Sequence, residues 1–338
     1  MELDGLLRST TTALAAIPAS TRLVRGLSPP QAWTAALFHN VEAVETPLTA
    51  GLGVTYTPAA FHRWLDTCEG RFRFVSLDEL DGPMDGGGRQ RRLLVTFDDA
   101  YVSVARHAAP LLADRGIPSV FFVNAGLLDN RSLSLDNLIA AIVNLVGMAP
   151  IERVARVSFS SIEEVISSHV SQLTLADRDH FRAAIQEASG LDEGELLRRY
   201  SPYLSSEELA ELPKSGMEIG NHTRSHVHCR VLDVAGTANE IVANQEELQS
   251  LTRQPVRAFA FPYGQQEDAT STILAALRQS AHTTAFLVGG RLNPGRQATA
   301  LRYRVSVKAR SANEAVAELD WLPVLRTLKS RRGPRADA

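Results

Sequence analysis

The sequence predicts an α/β fold built on a parallel sheet or barrel. Short apolar runs read as strands, and most are followed by a segment with helical spacing of its apolar residues. Strands alternating with helices favour a parallel arrangement. Five predicted strands also end in polar residues, and α/β folds build their sites at the carboxyl ends of strands.

In chain order, "WTAALFHNV" reads as a buried strand ending at His39 and Asn40. "TPAAFHRWLDTCEG" is a helix: Thr57 caps it, Pro58 suits its first turn, Gly70 stops it, and Phe61, Trp64, Leu65 and Cys68 share one face. "RFRFVSLDEL" gives a short strand and a capping-box pattern of Ser76 with Glu79. "DGPMDGGGRQRR" reads as a flexible loop. Strand "RLLVTF", helix "AYVSVARHAAPLLADRG" and strand "IPSVFFVN" follow. Residues 127–204 break the alternation with several helical patterns, among them "SLDNLIAAIVNLVG", and read as an insertion without a catalytic constellation. The alternation resumes with strand "MEIGN", helix "VAGTANEIVANQEELQSL", strand "VRAFAFPYG", helix "ATSTILAALRQS" and strands "AHTTAFLV" and "LRYRVSV".

The 338 residues are 44% apolar and 22% charged, an ordinary soluble composition that can bury a core. A net charge of −3 gives no reason to expect a nucleic-acid partner. Cys68 and Cys229 are the only cysteines, so a reducing compartment is the simpler reading than a disulfide framework. No run approaches the roughly 18 apolar residues of a membrane span. The N-terminal stretch lacks the basic start of a signal peptide and reads as an amphipathic helix on the protein or on a membrane surface. The expected location is the cytoplasm. The basic C-terminal "RTLKSRRGPRADA" reads as a solvated, frayed tail, with attraction to a membrane surface as the lesser alternative.

The adjacent carboxylates of "LLVTFDDAY" raise the main chemical question. Two like charges at a buried strand tip are costly without a cation. Capping the next helix accounts for one aspartate but not for both. "GNHTRSHVH" supplies partners: a helical turn after "MEIGN" would aim His222 and His226 the same way, as a shared metal ion requires. One carboxylate and two neutral imidazoles leave a divalent ion with open positions for water, the pattern of catalytic zinc sites. Such an ion lowers the pKa of water to about 7 and polarises a carbonyl oxygen. One aspartate of the pair then binds the ion and the other serves as base.

"TFDDA", "HTRSH" and "FAFPYG", in that order on successive strand ends, resemble the polysaccharide deacetylases of carbohydrate esterase family four. The resemblance covers about residues 35–307, apart from the insertion. It implies a distorted (β/α)7-type barrel and a hydrolase that removes acetyl groups from N-acetylated sugars. It also implies Asp98 as catalytic base and Asp99, His222 and His226 as ligands of one divalent ion, with zinc foremost and cobalt or nickel as alternatives. Pro262, Tyr263 and Gly264 would shape the substrate groove, with the Tyr263 N–H at the oxyanion. Where the family's commonest motif has an arginine that orients the base, this chain has Ala260; the resemblance points to Arg304 as its replacement, with Arg302 as the rival. The family's late acid histidine is missing, because no histidine follows His282. "LFHNV" is similar to the Tyr-His-x-Val strand of the circularly permuted branch, which implies His39 as general acid.

The expected organisation is a helical segment over 1–30, a barrel over 31–312 interrupted at 127–204, and a C-terminal helix with basic tail over 313–338. Rival readings are a deformylase, O-acetyl esterase or non-sugar amidase with the same machinery, a two-histidine, one-carboxylate iron oxygenase, and an inactive sugar-binding protein. His62, His107, His169 and His180 are expected to be solvated or locally bonded on helix patterns, His228 to point away if the turn is helical or else to line the groove, and His282 to begin a strand away from the tips.

Overall fold

A computed structural model describes residues 2–29, 31–80, 90–295 and 300–331. Among these are ten strands: β1 (Trp33–Phe38), β2 (Asn40–Val41), β3 (Thr55–Tyr56), β4 (Phe72–Phe74), β5 (Arg91–Phe97), β6 (Ser119–Val123), β7 (Met217–Asn221), β8 (Ala258–Ala260), β9 (Thr284–Val288) and β10 (Leu301–Ser306). Strand β1 pairs with both β10 and β5, and the sheet runs on through β6, β7, β8 and β9, so seven parallel strands close into a barrel. The (β/α)7 expectation is met. β4 lies outside the ring, paired with the first half of β5, while β2 and β3 form a separate ribbon.

The barrel strands are near-continuous apolar runs because both of their faces are covered. β5 is buried at all of its positions, with Leu94 in an inner cluster that includes Trp33, Ala35, Phe122, Ala260 and Phe286. Leu93, Val95 and Phe97 belong to the outer layer, beneath the helices. Side chains alternate along a strand, so the inward phase of β5 continues to Asp98 and that of β1 to His39. Outside the barrel, the Pro58–Cys68 helix buries Phe61, Trp64, Leu65 and Cys68, with the Phe61 and Trp64 rings 5.1 and 4.9 Å from that of Phe38.

The insertion contains helices Leu135–Leu145, Ala149–Ala155, Leu175–Ser189 and Glu193–Tyr200, which share the outer core. At the chain ends, Ala15 and Val24 pack against Val316, Trp321 and Val324. Asp320 there is ion-paired with Arg25 at 2.8 Å and with Arg91 at 2.9 Å.

Some local expectations change. Of the loop expected over 81–92, Arg91 and Arg92 instead belong to β5, held by Asp320 and by the carbonyls of Glu79 and Gln31. Residues 81–89 and the tail 332–338 lie outside the described residues. Glu79 reaches back to the Ser76 N–H, but only a turn follows. β8 stops at Ala260, since Pro262 cannot donate to a ladder and starts a turn. Among the described residues, no helix is long and apolar enough to cross a membrane.

Candidate active site

Asp98 follows the last residue of β5, and its N–H donates to the Phe38 carbonyl at 3.0 Å. β1 separates β5 from β10, yet Arg304 reaches across the barrel to Asp98. Its Nη1 donates to Oδ1 at 2.6 Å and its Nη2 to Oδ2 at 2.8 Å, with both residues buried. The guanidinium carbon sits 5.2 Å from the Phe122 ring and 5.9 Å from that of Phe286. A two-pronged contact fixes the carboxylate's plane as well as its charge. Of the two arginines on β10, Arg304 meets Asp98; Arg302 Nη1 donates instead to the Leu301 carbonyl at 3.3 Å.

Asp99 and the histidines converge by a route the sequence reading missed. The segment after β7 is an irregular loop, not the expected helical turn. Thr223 and His226 have φ of 60° and 54°, and across the site Asp99 and Ala100 have 76° and 57°. These left-handed residues fold the loop so that the His222 and His226 rings lie 5.2 Å apart. Buried amides hold the backbone there. Asn124 Nδ2 donates to the carbonyls of His222 (2.5 Å) and Thr223 (3.0 Å), and Asn221 Oδ1 accepts from the Thr223 N–H (3.1 Å) and from Asn244 Nδ2 (2.7 Å). Gly126 lets the β6 loop close onto this segment; a Cβ there would meet the Arg224 carbonyl oxygen at 2.6 Å.

The three expected ligands come together. Asp99 Oδ1 lies 3.3 Å from both His222 Nε2 and His226 Nε2, and the three ligand atoms fall within 4.8 Å of one another. The outer nitrogens are engaged: His222 Nδ1 donates to the Ala260 carbonyl at 2.8 Å, and His226 Nδ1 faces Asp136 Oδ2 at 3.2 Å. That leaves the Nε2 lone pairs facing Asp99 Oδ1, which is buried without a hydrogen-bond partner. Three inward-facing acceptors repel one another unless a positive charge lies between them. Without a metal, protonation is the available remedy. Burial pushes the His226 imidazole down, but Asp99 and Asp136 outweigh it and hold the group above its ordinary value. Burial would push the Asp99 carboxyl up, and His226, His222 and His39 more than reverse this. A divalent cation supplies the same charge, and carboxylate-supported imidazoles are the usual outer contacts of metal-bound histidines. The donor set fits such an ion.

A cavity of about 400 Å³ opens over these groups, lined by His39, Asp99, Asp136, His226, His228 and Tyr263 among others. Burial above all holds the His39 imidazole below its ordinary value; Asp99 and Asp98 oppose this, while Arg304 and His222 add to it. Tyr263 has φ of 60°, and its hydroxyl donates to Asp136 at 2.9 Å. Gly264 turns the chain beside it, where a Cβ would meet the Val288 nitrogen at 2.5 Å. With no helical turn here, His228 takes the other expected place and lines the cavity. The loop's geometry stacks its ring on Tyr263 at 3.8 Å, and Asp268 sits 3.1 Å from its Nδ1. Asp136 and Asp268 escaped the sequence reading. Asp136 looks like an ordinary helix-start acid after Ser134, and Asp268 lies in no motif.

The chain matches a family model described as polysaccharide deacetylase over residues 85–284. No curated protein matches. Among solved structures, the Streptococcus pyogenes deacetylase PplD in complex with acetate is similar at 13% identity and a TM-score of 0.57, over 87% of this chain and 99% of that one. IcaB from Ammonifex degensii is similar at 20% identity and a TM-score of 0.50, over 85% and 96%. BC0361, a polysaccharide deacetylase from Bacillus cereus, is similar at 12% identity and a TM-score of 0.54, over 85% and 68%. At these identities the structures speak for the fold.

Proposed function

The chain belongs to the polysaccharide deacetylase family and is a hydrolase of carbon–nitrogen bonds, and on that premise we propose that it removes the acetyl group from an N-acetylated sugar using one divalent metal ion. Asp99, His222 and His226 would hold the ion, with zinc foremost and cobalt or nickel as substitutes. When bound, such an ion acidifies a water molecule and polarises a carbonyl oxygen. Asp98, aligned by Arg304, takes the proton of the attacking water. The Tyr263 N–H donates to the oxygen that gains charge as the carbonyl becomes tetrahedral. His39 gives a proton to the departing nitrogen, and acetate and a free amine leave. Pro262 and Gly264 shape the wall beside the sugar.

We assign the acid to His39 because β1 closes the barrel between β10 and β5, which brings the first strand's tip to the same mouth as Asp98. This placement supports the circularly permuted reading.

One observation carries the proposal: a buried Asp99 oxygen without a hydrogen-bond partner, 3.3 Å from two imidazole nitrogens whose other nitrogens are already engaged. The test is acetate release from soluble and lipid-linked N-acetylated sugars by protein loaded with zinc, cobalt or nickel. Asp98→Asn is expected to keep the metal and lose turnover, and His222→Ala to lose both. Metal retained by His222→Ala, or lost from Asp98→Asn, would overturn the assignments.

A further inference from the structure

We propose that Asp136 is the positioning residue of the metal site, and that holding the second histidine ligand is what the helical insertion contributes to the reaction. The inference rests on the metal reading above.

Asp136 lies in the first turn of the Leu135–Leu145 helix, and its side chain is 11% exposed. An acid there is ordinarily a helix-start residue directed at the helix's own N–H groups. This one faces elsewhere. Its Oδ2 lies 3.2 Å from His226 Nδ1, and both of its oxygens are within reach of the Tyr263 hydroxyl, at 2.9 and 3.0 Å. A carboxylate only accepts, so Nδ1 and the hydroxyl both donate to it. The first contact keeps the His226 Nε2 lone pair turned toward Asp99. The second holds the Tyr263 ring 4.8 Å from that of His226. One side chain thus ties a ligand on the β7 loop to a tyrosine at the end of β8.

The insertion braces the arrangement from two directions. Asn137, next in the helix, donates to the Leu48 carbonyl and to the Tyr101 hydroxyl, both at 2.8 Å, and Tyr101 is two residues from Asp99. From the Leu175–Ser189 helix, Arg178 Nη2 donates to the His226 carbonyl at 3.0 Å. His226 needs such support, because a non-glycine residue at φ 54° costs on the order of 1 kcal/mol or more. Side chain and backbone of this ligand are therefore both set by residues from the insertion.

Asp136→Asn keeps the size of the side chain but replaces one acceptor oxygen with a donor group. Removing such an outer contact typically weakens metal binding about 10–100-fold, and that loss is expected when zinc is titrated into the metal-free variant against a competing chelator. The visible spectrum of the cobalt-loaded variant is expected to change as well, because His226 is no longer held at one angle. A helix-start role alone would lower the unfolding temperature of the metal-free protein and leave both readouts in place. Wild-type protein that takes up neither zinc nor cobalt would refute the metal reading itself. Wild-type protein that binds one ion, beside a variant that binds it within about threefold and gives the same cobalt spectrum, would overturn the role of Asp136. Should the variant not fold, zinc-loaded wild type decides by NMR. A slowly exchanging, downfield His226 Nδ1 proton is expected, and one exchanging as fast as in an exposed histidine overturns the proposal.

Discussion

Arg304→Met is the sharpest test of how the proposed base, Asp98, is held. Arg304 is fully buried and Asp98 is 2% exposed, with both guanidinium–carboxylate contacts made inside the barrel beside Phe122 and Phe286. Methionine fills much of the volume but leaves the Asp98 carboxylate buried and uncompensated, which costs about 3–5 kcal/mol. With an unfolding entropy near 2.1 cal/mol/K per residue, a chain of 338 residues would lose roughly 4–7 °C of melting temperature. Asp98→Asn strands the arginine instead and should be costly too. The double variant removes both charges, so its cost is expected to fall short of the sum by about 2–3 kcal/mol. Denaturant unfolding of the metal-free proteins measures all three, without a metal contribution. Arg304→Lys is a useful companion, because a single ammonium cannot reproduce the planar fork. A loss below about 1 kcal/mol for Arg304→Met, or additive single and double variants, would refute the pairing. So would an equal coupling between Asp98→Asn and Arg302→Met.

Two further perturbations concern the histidines His39 and His282. His39→Ala is expected to lower kcat by about 10²–10⁴-fold, the usual contribution of a general acid, with KM changed far less; an unchanged kcat in steady-state assays would clear it of that role. His282 is buried beside Asn221 and held down to about 4 by that burial, so the unfolded chain takes up its proton near pH 6.5 while the folded chain does not. The unfolded state therefore binds more protons between those values, and stability present above pH 6.5 should decline by about 3 kcal/mol as pH falls to about 4. Unfolding curves across that window are expected to be flatter for His282→Gln, and an identical slope would refute the assignment.

What was legible in the sequence follows from what is local. Apolar runs specify buried parallel strands wherever both faces are covered, and so β5, β6 and β7 could be read directly. The candidate ligands were legible because "TFDDA" and "HTRSH" each lie within a few residues of a strand end. The loop's path was not. Four-residue spacing suits a helix, whereas the histidines meet through left-handed turns at Thr223 and His226, held by Asn124, Asn221 and Asn244 from three separate elements. Choosing Arg304 over Arg302 needed the register that sets Ala35 opposite both Arg304 and Leu94. Asp136 was the least visible, because its partners lie about 90 and 127 residues further along the chain.

Strain and support at the barrel mouth form a single argument. Asp99, Ala100, Thr223, His226 and Tyr263 all have φ between 54° and 76°, in a region non-glycine residues seldom occupy. Each costs on the order of 1–3 kcal/mol and persists only where surroundings over-determine it. A barrel strand delivers a side chain to the mouth but does not choose its angle, and carboxylate and imidazoles pointing outward would be better solvated than converging ones. The surroundings impose the inward choice: amides beneath the histidine loop, Gly126 at its side, and the inserted helices above it through Asp136 and Arg178. Because the supports come from separate elements, the loss of one leaves the others in place. Weakening Asp136 should therefore loosen the proposed ligand set before it unfolds the barrel, so metal affinity, and not stability, would read out its proposed role.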